Sequence, residues 1–529
     1  MYPLLIFGAA ALLMMSFEED VHAQKKGTRP NVIVILADDL GYGDVSCYGG
    51  ASISTPHIDQ LAANGLRLTN GYTAASTCTP SRYAILTGQY AWRKKGTDIL
   101  PGSASLIIPT DRTTLGTLFQ KAGYQTAAIG KWHLGLGPKA GPDWNGLIKP
   151  GANEVGFGYA FLIPATPDRV PCVYVENHRV LNLDPGDPIT VDYQHPVGNL
   201  PTGEDHPEML KMKTSPGQGH LGTIINGISR IGYMSGGRSA WWTDSLIADV
   251  ITGKAVDFIR KNKEHPFFLY FASHDIHVPR VPDHRFAGKS GMGPRGDEIL
   301  ELDWEVGQIV QTLKELNLLE NTLIVFTSDN GPVLDDGYQD GAVEGAAHPV
   351  LVEKGADMNR QFSTGAPHRP AGDFSGGKYS ILEGGTRVPF IISWPGMVRP
   401  GVSQALVSQV DLLASFAAML HQDLGNDDAP DSFNMLDAIL GRTTKGRKSL
   451  VEQGSSLALV KDNWKYIEPH KGPALFRLVN IRSGLDTIPQ LYDLGTDLAE
   501  KHNLATQYPE RVKQMSAELE AIKKNGRSR

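Results

Sequence analysis

Short apolar runs rich in β-branched and aromatic residues recur along the chain, most of them closed by polar or glycine punctuation. They cover 31–37, 125–129, 266–272, 322–327 and 389–393. Between them the period changes from that of a strand to that of a helix. Residues 113–122, 245–261 and 297–316 carry apolar positions at helical spacing, and in the last Ile299, Leu302, Val306, Ile309, Val310 and Leu313 fall on one face. Near-continuous apolar strands alternating with amphipathic helices predict an α/β fold, a large and mostly parallel (mixed) sheet sandwiched by helices. In such a sheet ligands gather at the carboxyl ends of the strands, so the polar residues just past each run are the ones to inspect.

Two segments lack this rhythm. Residues 136–238 are rich in Gly, Pro and Asp with few regular periods, and 335–373 are similar. Long loop-dominated insertions of this kind usually serve a site, and these are read as lining its mouth. Towards the end the pattern changes again, with strand character over 455–465 and 489–493 and an amphipathic helix over 509–524. The expected division is a signal segment over 1–23, a large α/β unit over 24–444 and a smaller C-terminal α+β unit over 445–529. At 529 residues the chain is long enough for two such units.

The first residues read as an export signal: a short apolar run over 4–15, then Val21-His22-Ala23 as a small-x-small cleavage site before Gln24. No Lys or Arg precedes the run, and Glu18-Glu19-Asp20 departs from the usual pattern. The expectation is an exported protein, periplasmic or secreted, with no membrane association once the signal is removed. A net charge of −7 without a basic tract argues against a nucleic-acid partner. Three cysteines, Cys47, Cys78 and Cys172, form neither a disulfide framework nor a zinc pattern.

Candidate chemistry lies where the fold rule places it. Asp38-Asp39 follow the first run and Asp329-Asn330 the fourth. Either pair alone would pass for turn punctuation, but two pairs at strand ends of one sheet suit a hard divalent cation such as calcium. After the second run come Lys131 and His133, two apart and so on one side of extended backbone; after the third comes His274-Asp275-Ile276-His277. A cation and a titratable imidazole fit an anionic ester and its proton transfers, although a lone histidine is commonly structural. Lys378 sits in a glycine-rich stretch, read by itself as a solvated loop. Cys78-Thr79-Pro80-Ser81-Arg82 reads as a helix start, with Pro80 in the first turn, residue 78 at the anion-favouring end and Arg82 one turn on. The residues alone leave Cys78 open as a precursor, as a thiol activated by the helix end, or as an inert buried cysteine.

The Cys-x-Pro-x-Arg string with Leu86-Thr87-Gly88 resembles the signature of the formylglycine-dependent sulfatases of the alkaline phosphatase superfamily. With it, Leu36–Asp44, Gly130–Gly135, Ser273–Pro279, Thr327–Pro332, Leu382–Pro389 and Leu491–Leu494 stand in family order, close in pattern to the arylsulfatase and N-acetylgalactosamine-sulfatase branch. The resemblance implies that a formylglycine-generating enzyme converts Cys78 to formylglycine during maturation. It implies calcium (magnesium being the alternative) bound by Asp38, Asp39, Asp329, Asn330 and residue 78. Arg82 would stabilise the hydrated formylglycine, Lys131 and Lys378 would hold the sulfate, His277 would protonate the leaving alcohol and His133 would help regenerate the aldehyde. It also implies a four-stranded antiparallel sheet and a helix in the C-terminal unit. The substrate expected is a sulfated glycan or its oligosaccharide fragments, with Asp168 and Arg169 as substrate contacts. Trp144, Trp241 and Trp242 are further candidates, with a structural role as their alternative reading. Competing functions are a phosphodiester or phosphonate hydrolase of the same superfamily and an inactive glycan-binding relative.

Overall fold

Strand β1 (Asn31–Ala37) is buried along its whole length and serves two cores at once. Val32, Val34 and Leu36 enter one apolar cluster, and Ile33, Ile35 and Ala37 enter the other. That is the period-two alternation of a strand covered on both faces. The computed structural model describes residues 29–50, 52–342, 360–361 and 367–529; the export signal expected over 1–23 and part of the second insertion lie outside them.

The remaining strands of the large sheet are β2 (Leu66–Leu68), β3 (Gln125–Lys131), β4 (Tyr159–Ile163), β5 (Val175–Glu176), β6 (Arg179–Val180), β7 (Phe267–Ala272), β8 (Thr322–Ser328), β9 (Phe390–Ser393) and β10 (Gly401–Ser403). The ten are ordered β10-β2-β9-β8-β1-β7-β3-β4-β5-β6. The central five, β8-β1-β7-β3-β4, run parallel, and β9 and β5 begin the antiparallel edges. One face is covered by α1 (Pro56–Ala63), α4 (Ile247–Lys261) and α5 (Gly293–Glu315). The other carries α2 (Cys78–Thr87), α3 (Leu115–Lys121) and α6 (Leu412–Met419).

Register does the work of assembling a site. Ala37 pairs with Ser328, Leu36 with Ala272, and Ala272 with Gly130. The residues that follow therefore leave the sheet side by side: Asp38-Asp39, Asp329-Asn330, His274 to His277, and Lys131 to His133. β3 runs two residues beyond the expected 125–129, so Lys131 closes the strand. The first insertion is less irregular than expected, because β4, β5 and β6 lie within it and extend the sheet.

The smaller sheet is antiparallel, ordered β11 (Ser449–Gln453), β12 (Leu457–Lys461), β13 (Trp464–Ile467) and β14 (Gln490–Asp493). The single run expected over 455–465 is two strands. Asp462 and Asn463 take left-handed backbone, φ 50° and 65°, which makes the hairpin turn between them. Helix α7 (Pro509–Lys524) packs Met515 and Leu519 against this sheet. The same apolar cluster takes in Ala84 and Tyr90, while Tyr83, Ile85 and Leu86 face the larger core. Helix α2 is thus buried on every side, all ten residues of it. Gly88 ends it at φ +64°, where a Cβ would lie 2.5 Å from that of Ala429. Among the described residues no helix is long and apolar enough to cross a membrane.

The C-terminal sheet also meets the larger unit through charge. Lys465 Nζ, fully buried, lies 3.0 Å from Glu383, 2.7 Å from Glu452 and 3.2 Å from Glu500. Burial outweighs Lys465 and pushes Glu452 up to about 7 and Glu500 up to about 8. Glu383, Tyr72, Arg387 and Tyr492 are the other titratable groups around them. A carboxyl raised above its unfolded value, about 4.3, adds stability that is complete below that value and lost as pH rises through the folded one. Thermal stability is therefore expected to fall between about pH 5 and pH 8 with a contribution on the order of 1 kcal/mol per pH unit from each group. Unfolding midpoints measured across that range should show a flatter slope in Glu500→Gln; an unchanged slope would refute the assignment.

Candidate active site

Helix α2 begins at Cys78. Thr77 before it is extended, with φ −147° and ψ 155°, and Pro80 takes the third helical position, where its missing N–H has no intrahelical partner to lose. Residue 78 is held at a helix N-terminus facing the strand ends, and its Sγ lies 3.8 Å from Asp38 Oδ1. One turn on, Arg82 Nε donates to Asp329 Oδ2 at 2.9 Å and Nη1 to the Lys131 carbonyl at 3.0 Å.

Ligating atoms of Asp38, Asp39, Cys78 and Asp329 all lie within 4.8 Å of one another, and all four residues are buried. Each carboxylate has its own cation. Lys131 pairs with Asp38, Lys378 with Asp39 at 2.9 Å, and Arg82 with Asp329 at 2.8 Å. Asn330 Nδ2 donates to Asp39 Oδ1 at 2.7 Å, while its Oδ1 is buried without a hydrogen-bond partner. Three carboxylates and a spare amide oxygen make an all-oxygen donor set that fits a hard cation such as calcium. Asp39 and His133 both take left-handed backbone, φ 59° and 54°. Such strain in non-glycine residues gathers where a side chain must be aimed.

The protonation states follow from burial. Burial and the Asp329 carboxylate push Asp38 well above the usual carboxylate range, and burial raises Asp39 against Lys378. Asp329 goes the other way: burial opposes its charge, but Arg82 and Lys131 hold it below that range. Burial and then Lys378 lower His277 well below its ordinary value; burial and then Lys131 do the same for His133. His277 Nδ1 donates to the Val278 carbonyl at 2.7 Å, which leaves Nε2 towards Asp39, 3.8 Å away. His133 Nε2 donates to the Leu100 carbonyl at 2.9 Å.

A cavity of about 510 Å³ opens onto these groups, reaching Cys78, His133, His277 and Lys378 at its floor. A larger cleft of about 910 Å³, between Tyr42, Arg369 and Lys448, contains none of the expected site residues, so the chemistry lies in the smaller one. Asp168 and Arg169 line the smaller cavity. Arg169 Nη1 donates to both Asp168 oxygens at 2.9 Å, and His220 Nε2 lies 3.1 Å from Oδ2. Trp144 and Trp242 are instead buried in the two cores, with Trp241 packed against them, so their structural reading holds.

Sequence reasoning missed His220, Asp336 and Tyr379. Asp336 accepts from Lys378 Nζ at 2.7 Å and from the Tyr379 hydroxyl at 3.0 Å. The signal for Asp336 was the need of a buried lysine for a counter-charge; His220 had none. Also unforeseen is a wall of the cavity from the C-terminal unit, formed by Phe476, Leu478 and Val479.

The sulfatase family model matches residues 30–421. The chain belongs to the sulfatase family. An N-acetylgalactosamine-6-O-sulfatase of Bacteroides thetaiotaomicron is 54% identical over 497 residues, which cover 94% of this chain and 93% of that protein. Arylsulfatase A of Homo sapiens is 33% identical over 422 residues, 80% of this chain and 70% of that protein. A solved structure from work on the metabolism of multiple glycosaminoglycans by Bacteroides thetaiotaomicron superposes with a TM-score of 0.88 at 53% identity, covering 94% of this chain and 99% of that one. This sulfatase is accordingly an enzyme that hydrolyses sulfuric esters.

Proposed function

We propose that this sulfatase removes a 6-O-sulfate from an N-acetylgalactosamine residue of a glycosaminoglycan or its oligosaccharide fragments. The observation that carries the sugar assignment is the 54% identity to an N-acetylgalactosamine-6-O-sulfatase along nearly the whole of both chains. The cavity supports it, with buried cations and imidazoles at its floor and Asp168 and Arg169 on its wall to receive sugar hydroxyls.

On this reading Asp38, Asp39, Asp329, Asn330 and residue 78 would hold calcium, which would supply positive charge to offset the negative charge developing on the sulfate. Formylglycine made from Cys78 supplies, as its hydrate, the oxygen nucleophile. Arg82 fixes that residue through its place on the same helix, and Lys131 and Lys378 neutralise charge on the sulfate as the ester S–O bond breaks. His277 Nε2 gives a proton to the departing sugar oxygen. An anion bound beside it offsets Lys378 and raises its affinity for that proton. His133 takes up a proton on Nδ1 when the second product leaves. Overall one water is consumed, and the sugar alcohol and sulfate are released. The catalytic unit is then 24–444, the C-terminal subdomain 445–529, and 1–23 an export signal that delivers the enzyme to the periplasm or beyond.

Turnover of matched 6-O-sulfated, 4-O-sulfated and phosphodiester substrates tests the reading. The 6-O-sulfate is expected to lead by about 100-fold or more in kcat/KM, the order of discrimination that mispositioned polar groups produce. Preference for the phosphodiester would move the chain to the rival hydrolase class. Binding of the sulfated sugar without turnover by the matured protein would make it the inactive relative.

A further inference from the structure

The ion cluster around Lys465 is linked to three of the segments that carry active-site residues. Glu500 Oε2 accepts the Glu383 N–H at 2.7 Å, and Glu452 Oε1 accepts the Thr386 hydroxyl at 2.8 Å. Glu383 Oε2 accepts the Tyr72 hydroxyl at 2.6 Å. The short turn 383–386 is thus gripped from the C-terminal side by the two carboxylates that Lys465 gathers.

From that turn and from Gln453, hydrogen bonds reach the segments that carry Cys78, Asp329-Asn330 and Lys378. Thr73 N–H donates to the Thr386 carbonyl at 2.9 Å, and Thr73 Oγ1 donates to the Asp329 carbonyl at 2.9 Å. Gly331 N–H, next to Asn330, donates to the Gly385 carbonyl at 2.9 Å. A Cβ at Gly331 would lie 1.8 Å from the Gly384 oxygen, so the turn presses on the 329–331 segment with no clearance. On the other side Ser76 N–H, two residues before Cys78, donates to the carbonyl of Gln453, the neighbour of Glu452, at 2.8 Å. The Ser76 carbonyl in turn accepts the N–H of Tyr379, the neighbour of Lys378, at 2.8 Å.

We propose that Lys465, on the C-terminal sheet, is a positioning residue of the active site, fixing the segments that carry Cys78, Asp329-Asn330 and Lys378 relative to one another through Glu383, Glu452 and Glu500. It touches neither substrate nor reacting atoms. Four fully buried ionisable side chains are a costly way to join two domains when apolar packing would serve, and directional ion pairs fix one relative placement where apolar contacts permit sliding. The inference rests on the site roles given above for those three segments.

The test is Lys465→Met in the full-length matured enzyme, checked for a native near-ultraviolet spectrum and assayed well below its own unfolding midpoint. Misplacement of about 1 Å in a reacting group costs about 100-fold, so kcat is expected to fall by that order while KM changes by less than about threefold. The calcium concentration giving half-maximal activity should rise about tenfold, the scale of a disturbed supporting shell. A folded Lys465→Met enzyme with kcat and calcium dependence within about twofold of the parent would overturn the proposal, because a purely structural lysine predicts that result. Should this variant fail to fold, Glu500→Gln keeps an acceptor for the Glu383 N–H and replaces the carboxyl that faces Lys465 with an amide that cannot ionise. It is expected to lose about tenfold in kcat, and an unchanged kcat would overturn the proposal equally. Retained activity in Cys78→Ala would instead overturn the site assignment on which it rests.

Discussion

Cys78→Ala is expected to lower turnover of sulfate esters by at least about 10⁴-fold, the scale on which loss of a covalent nucleophile is felt. The reason this variant is clean lies in the local structure. Residue 78 is the first of a fully buried helix and makes one weak sulfur contact, to Asp38. Alanine is the best helix former and leaves only the volume of one sulfur atom, so the stability cost should stay near 1 kcal/mol. Loss of activity would then be loss of chemistry, with the cavity, its cations and its histidines in place. Metal binding should weaken without vanishing, since three carboxylates and Asn330 remain. The companion measurement is the mass of the peptide containing residue 78 from the native host. Conversion of the thiol to an aldehyde lowers it by about 18 Da. Turnover of Cys78→Ala within tenfold of the parent, or a host-derived enzyme that is fully active with an unmodified thiol, would remove residue 78 from the mechanism.

Much of this site was legible because it sits where the period of the sequence says it must. Asp38-Asp39 and Asp329-Asn330 could be placed together from two apolar runs alone, since parallel strands in one sheet end on one side. The register made that precise by setting Ala37 beside Ser328. Lys131, His133 and His277 followed by the same logic, and Pro80 marked the helix start at Cys78. What could not be read depends on contacts between distant segments. His220 reaches Asp168 across 52 positions, and Asp336 reaches Lys378 across 42. Neither has a local pattern, because an irregular loop carries no period to betray which way a side chain points. Asp462-Asn463 was missed for a different reason. Its apolar flanks read as one run, and only the left-handed backbone at two successive residues shows the turn. The wall formed by Phe476, Leu478 and Val479 belongs to a second unit whose docking angle no strand rule fixes.

Asp329→Asn is expected to lower kcat/KM by about 100- to 1000-fold, and to do so through the metal. Asparagine keeps the shape and one acceptor oxygen, so the buried Arg82 guanidinium still has a hydrogen-bond partner, whereas alanine would strand it at a cost of about 3–5 kcal/mol. What asparagine removes is one of three carboxylates whose oxygens lie within 4.8 Å of one another and of the residue 78 sulfur. Burial and Asp329 itself push Asp38 upward. A divalent ion relieves that repulsion, so its binding should stabilise the folded state by about 2.7 kcal/mol at 100 times its dissociation constant. Titrating calcium against the unfolding midpoint reads this directly and needs no turnover. The parent should show a rising midpoint, and Asp329→Asn a much smaller rise at the same calcium concentration. Chelation of the parent should remove activity, with calcium restoring it more effectively than magnesium. A loose set of carboxylates with one amide suits the larger ion, while magnesium demands a strict octahedron and keeps its water. An identical calcium shift in parent and variant would mean that Asp329 serves Arg82 alone and that the ion, wherever it binds, is not held by this strand end.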